Sequence, residues 1–245
     1  MELLTNGVGL SVVVFFPLIS EFIITLIPKA QEQLIKRFAL VSSLITFVLS
    51  AVLLFQFDFS SADKLQLGNK ISWIKSINAN YEIGIDGISL PLLVLSTFIT
   101  VLAIIYSIEH LPEPKSPKGF LALILVLETG MNGTFVALDL ILFFVFFEIV
   151  LLPMYFMIGI WGDKTVRTVS GFKNQIETRL YASIKFFVFT LFGSAFMLLG
   201  FLGLYYRGNK TFSIPELIEL GTSGAFTGTF ATLVFAVLFL GFAVK

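Results

Sequence analysis

The chain has no cysteine and a single histidine, His110. Without thiolates, disulfides, thiolate zinc sites and thiolate-bound iron–sulfur clusters are excluded. One histidine, set in a loop with Pro112 and Pro114, is too few ligands for a haem or copper centre. No cofactor and no metal is therefore expected on this chain, and any redox chemistry lies on another polypeptide. Charge is scarce as well: 13% of the residues are charged, against roughly 25% in soluble domains. Lys+Arg 16 and Asp+Glu 16 cancel to a net charge of +0, which leaves no basic footprint for nucleic acid. Met1-Glu2 provides no basic stretch ahead of the first apolar run, so that run reads as a retained helix and not a cleaved signal.

Apolar runs fill the space that charge vacates. The 245 residues are 57% hydrophobic with mean hydropathy +0.96, the composition of an all-α polytopic membrane protein. A spanning helix needs about 20 apolar residues, and about seven transmembrane helices are expected. They cover about Val8–Pro28, Phe38–Phe57, Ser89–Ile108, Phe120–Leu138, Phe143–Gly162 and Tyr181–Tyr206, with a last one from Ala225 to Lys245. Residues 1–57 thus hold the first two helices, 58–87 form a polar loop, and 88–245 hold the rest. Within the loop, Lys70–Ile74 and Tyr81–Ile85 partly alternate polar and apolar, the pattern of a short surface β-hairpin at about 70–85. Asp139 is the only charge between the fourth and fifth spans, which predicts a tight helical hairpin with Asp139 as N-cap. Asp86-Gly87 or Ser89 starts the third span. Loops that face inward if the N-terminus is outside carry nine Lys/Arg and the others five, so basic bias puts the N-terminus outside.

Charges inside the spans are the candidate functional residues. Glu148 lies near the middle of Phe143–Gly162, where a charge costs about 2.5–3.5 kcal/mol to insert. Five residues on, Pro153 removes a backbone donor and leaves the Ile149 carbonyl without its helical partner, a kink beside the carboxylate. Counted from the turn at Asp139, Glu128 and Glu148 fall at similar depth; if they faced one another, a shared or shuttled proton would follow. Glu128 also has Thr129 and Asn132 close by in sequence as ordinary hydrogen-bond partners. Lys185 reads either as a functional charge or as a side chain snorkelling to the headgroups. Lys245 reads from spacing as the flank of an apolar run. The 29 phenylalanines suit lipid contact and helix packing, and Gly193-Ser194, Gly200 and Gly203 suit close helix approach.

The run Asn132–Phe144, then Phe147-Glu148 to Pro153-Met-Tyr155 and Ile-Gly-Ile-Trp161-Gly162, resembles the proton-pumping antiporter-like subunits of respiratory complex I. Leu-Pro-Met-Tyr after the glutamate is most similar to the subunit M (subunit 4) family of NADH-quinone oxidoreductases. Three further segments agree: Gly84–Pro91, Tyr181–Phe187 and Leu240–Lys245. The resemblance covers about Lys70 to the end; the first two spans match mainly in hydropathy.

The resemblance implies that Glu148 and Lys245 form the charge pair of a proton half-channel, that Lys185 matches a sixth-span lysine, and that Glu128 matches a fourth-span glutamate. It implies a membrane-arm translocase subunit of the bacterial plasma membrane. NADH, flavin, iron–sulfur clusters and quinone would belong to partner subunits, and the chain's own partners would be other membrane subunits and the bilayer. Members of the family are fourteen-helix subunits about twice this length, so 88–245 reads as the start of the antiporter-like domain, truncated within the seventh helix. A subunit of a multi-subunit cation/proton antiporter is one alternative, and a membrane scaffold without transport is another.

Overall fold

A computed structural model describes residues 7–167 and 176–245, without the side chains of Arg167 and Ile176. Part of the stretch between the fifth and sixth spans thus lies outside the described residues. The helices are α1 (Val8–Leu26), α2 (Glu32–Gln56), α3 (Ser89–Glu109), α4 (Pro117–Val136), α5 (Leu140–Ile149), α6 (Leu151–Trp161), α7 (Thr178–Arg207), α8 (Ile214–Thr222) and α9 (Gly228–Val244). The strands are β1 (Gln66–Ile74) and β2 (Ala79–Ile85), with the two-residue pair β3 (Val166–Arg167) and β4 (Ile176–Glu177). Six segments are long and apolar enough to cross a membrane, α5 and α6 together making one of them. Many large apolar side chains on α1, α2, α3 and α7 are exposed, among them Phe22, Val41, Ile99 and Phe192. Such faces suit lipid, and this is an integral multi-pass membrane protein.

The six spans and the 17-residue apolar helix α9 together account for the about seven helices expected. One boundary needs adjustment. α2 begins at Glu32, several residues before the apolar run, because its first turn is polar and carries Glu32, which favours a helix N-terminus.

β1 and β2 pair antiparallel, from Gln66 opposite Ile85 to Ile74 opposite Ala79, as the alternation at 70–85 predicts. The turn between α4 and α5 extends this sheet. The Leu138 N–H donates to the Glu82 carbonyl (2.8 Å), and the Ile214 N–H donates to the Leu138 carbonyl (2.8 Å). The link between the fourth and fifth spans is thereby stitched to both polar segments on that side, β2 and the start of α8. Lys70 ties the same region together, 3.3 Å from Glu82 Oε2 and 2.8 Å from Glu216 Oε1 on α8.

α1 to α4 form one packed bundle with two apolar clusters. One holds Val13, Leu53, Leu93 and Val136 at the hairpin end. The other holds Ile24, Ala39, Ile104 and Leu125 at the opposite end. α7 packs on α9 along glycines, as the small residues at 193 and 200 predict. A Cβ on Gly193 would stand 2.7 Å from Val244 Cβ, and one on Gly200 would stand 2.7 Å from Leu238 Cδ2.

Candidate functional site

α5 is fixed at its start. The Asp139 carboxylate accepts from the N–H groups of Ile141 (2.9 Å) and Leu142 (3.2 Å) and, through its other oxygen, from Asn80 N–H (2.9 Å). Asp139 is fully buried, and its cap ties the helix to β2. Nine residues beyond the cap, or about 14 Å at helical rise, stands Glu148. The helix is interrupted two residues later at Val150, and α6 begins at Leu151. Pro153 lies buried in the first turn of α6, where a missing N–H costs least.

The close approach of α9 to α7 brings Lys245 to the same place. Its Nζ donates to Glu148 Oε1 (2.8 Å) and to the Phe147 carbonyl (2.6 Å). It also lies 3.8 Å from the centroid of the Phe147 ring. The two side chains are 11% and 21% exposed, so the pair is largely desolvated, where attraction is stronger and separation costs more. Stacked Phe143 and Phe147, with Phe242 edge-on to both, wall the pair on one side. A cavity of about 480 Å³ opens beside Lys245, lined by Leu92 and Ser96 of α3, Met131 and Thr134 of α4, and Phe242. The lysine thus has space to one side and a carboxylate on the other.

The other two candidates lie apart from this pair. Glu128 is fully buried, and neither of its oxygens has a hydrogen-bond partner among the described residues. Thr129 gives its hydroxyl proton to the Leu125 carbonyl, and Asn132 gives its amide to the Val13 carbonyl (3.4 Å). The expected partners of Glu128 are therefore engaged elsewhere. Nor does it face Glu148. Gly130 and Gly133 abut Val150 and Phe146, whereas Asn132, one turn from Glu128 on the same helical stripe, contacts α1. Lys185 is exposed on α7, with its ammonium 5.6 Å from the Tyr181 ring centroid. No group of three or more His, Asp or Glu among the described residues could hold a metal. Sequence reading did not anticipate the Phe147 carbonyl as a lysine acceptor. The break at Val150 frees carbonyls there, and Pro153 was its visible signal.

The comparisons with known proteins bear on what this geometry belongs to. The family model described as "NADH-ubiquinone oxidoreductase chain 4, amino terminus" matches residues 12–134. A second, "NADH:quinone oxidoreductase/Mrp antiporter, TM", matches 137–245. The chain belongs to the chain 4 (subunit M) family of NADH-quinone oxidoreductases. The match from residue 12 brings the first two spans into the chain 4 family, although their motifs are sparse. The NAD(P)H-quinone oxidoreductase chain 4 of Gloeobacter violaceus is 35% identical over 96% of this chain and 41% of the relative. NADH-quinone oxidoreductase subunit M of Rickettsia bellii is 34% identical over 96% of this chain and 45% of its own length. The chain thus spans less than half the length of these chain 4 relatives. In fold it is similar to a chain of respiratory complex I from Thermus thermophilus (TM-score 0.74, 23% identity, 96% of this chain and 43% of that one). It is also similar to a chain of the Mrp complex from Dietzia (TM-score 0.73, 16% identity, 96% of this chain and 23% of that one).

Proposed function

We propose that this chain forms part of a membrane-arm subunit that moves protons across the bilayer while its complex oxidises NADH and reduces quinone. The observation that carries this reading is the Glu148–Lys245 pair, desolvated at the break between α5 and α6 in a member of the chain 4 family. With Lys245 at hydrogen-bond distance, negative charge on Glu148 is neutralised. When Lys245 swings into the neighbouring cavity, that charge stands alone among phenylalanines, and uptake of a proton relieves it. Alternation between the two arrangements loads and unloads one proton. Lys185 and Glu128 are further stations for charge, neither in contact with the pair. The chain binds no redox cofactor itself; NADH, flavin, iron–sulfur clusters and quinone belong to partner subunits. Its neighbours are other membrane subunits, its membrane is the bacterial plasma membrane, and its N-terminus is outside.

The multi-subunit cation/proton antiporter reading draws on the Mrp fold likeness, which speaks to the fold alone. The chain 4 family match over 12–134 favours the oxidoreductase. Proton translocation per NADH oxidised, measured in membranes whose full-length subunit carries Glu148→Gln, tests the proposal. The variant keeps the side-chain shape but cannot ionise, so coupling is expected to fail while the complex assembles. Glu148→Asp is expected to retain part of it. Normal pumping by Glu148→Gln would favour the non-transporting scaffold.

A further inference from the structure

A belt of polar side chains crosses the α1–α4 bundle between its two apolar clusters. On α1, Ser20 lies between Val14 and Ile24. On α2, Ser42, Ser43, Thr46 and Ser50 lie between Ala39 and Leu53. On α3, Thr97 and Thr100 lie between Leu93 and Ile104, and on α4, Glu128, Thr129 and Asn132 lie between Leu125 and Val136. All these polar residues are buried. Four helices thus change from apolar to polar and back at the same depth.

The belt is rich in acceptors and poor in donors. Ser20, Ser43, Thr46, Ser50, Thr100 and Thr129 give their hydroxyl protons to carbonyls three or four residues back in their own helices. Their oxygens remain able to accept, that of Ser50 already lying 2.7 Å from Thr97 Oγ1. Both Glu128 oxygens, Asn132 Oδ1 and Ser42 Oγ have no hydrogen-bond partner among the described residues. A buried polar atom left unpaired costs about 1–3 kcal/mol, and a group of them in one layer calls for a proton and water. No described cation pairs with Glu128; Glu21, next to Ser20, is partly exposed.

We propose that this belt is an internal proton site distinct from the Glu148–Lys245 pair. Glu128 carries the proton as a neutral acid, and trapped water links its carboxyl to Asn132 Oδ1 and to the hydroxyls of α2. The protonated carboxyl supplies the donor that the belt lacks, and water supplies the remaining bonds. This rests on reading the chain as a proton-handling one, yet it does not need the pair at Glu148 to function.

Infrared spectroscopy of the purified complex at neutral pH, before and after transfer to D2O, tests it. A protonated-carboxyl carbonyl band that shifts in D2O is expected in the parent and in Glu148→Gln, and its loss is expected in Glu128→Gln. Glu128→Asp keeps the acid and is expected to keep a shifted band, so a folding defect in Glu128→Gln would not mask the result. Ser42→Ala is expected to slow the exchange about fivefold, the effect of one lost hydrogen bond. A Glu128 band that ignores D2O would mean a dry, sealed acid and overturn the proposal, as would the absence of any band removed by Glu128→Gln. Loss of the band in Glu148→Gln would show that the two sites are one.

Discussion

Replacing Asp139 with alanine removes the side chain that caps α5 and hydrogen-bonds it to β2, and so helps to place Glu148. Three backbone N–H groups lose their acceptor at once: Ile141 and Leu142 at the helix start, and Asn80 in β2. Loss of an N-cap costs about 0.5–2 kcal/mol. The Asn80 N–H, bonded in a buried setting, adds about 1–3 kcal/mol when left unpaired. Part of this is regained because the carboxylate no longer has to be buried, so the net expectation is about 2–4 kcal/mol. For a chain of this size each kcal/mol moves the midpoint by about 2–4 °C. Thermal unfolding of the detergent-solubilised protein, followed by circular dichroism, is expected to show Asp139→Ala at least about 4 °C below the parent, with Asp139→Asn between them. An Asp139→Ala midpoint equal to the parent's would refute the role of this cap.

Gly193→Ala places a methyl group 2.7 Å from Val244 Cβ; overpacking of about 1–3 kcal/mol is expected, together with displacement of Lys245 and weaker coupling, and unchanged unfolding would mean that α7 and α9 do not touch. Because the chain has no cysteine, single cysteines can report the orientation. Lys75→Cys is expected to label from the outside only and Lys115→Cys from the inside only. Between β1 and α8, the Lys70 hydrogen bond, and after it that of Thr211, holds the Glu216 carboxyl below its usual range. A lowered carboxyl contributes stability that is present above the ordinary glutamate value and lost as pH falls through the lowered one. The protection of β1 and α8 amides against hydrogen exchange is therefore expected to fall below about pH 4, and Glu216→Gln to weaken that dependence.

Much of the fold was legible because its signals are local. The lone charge at Asp139 between two apolar runs marks a helical hairpin and its cap together. Alternation at 70–85 marks the strands, and Glu148 stands out as a carboxylate in an apolar run. What escaped was tertiary. Lys245 meets Glu148 across 97 residues, and its own surroundings in the sequence do not point there; only the resemblance did. The orientation of Glu128 depends on which face of α4 turns to α5. Gly130 and Gly133 carried that signal, since small residues mark the face of closest approach. α8 was missed because nine residues are too few for a strong period, although Pro215 near its start is a helix signal. The polar belt is scattered as single serines and threonines, and only the packing of four helices aligns it.

The central claim is that Glu148 and Lys245 act as one proton-transferring unit. Proton translocation per NADH oxidised, measured for Glu148→Gln, Lys245→Met and the double variant in an assembled complex, tests it most directly. A working pair fails as a whole when either member is lost, so the double variant is expected to translocate no worse than the poorer single one. Losses that multiply, or normal translocation by either single variant, would contradict the account.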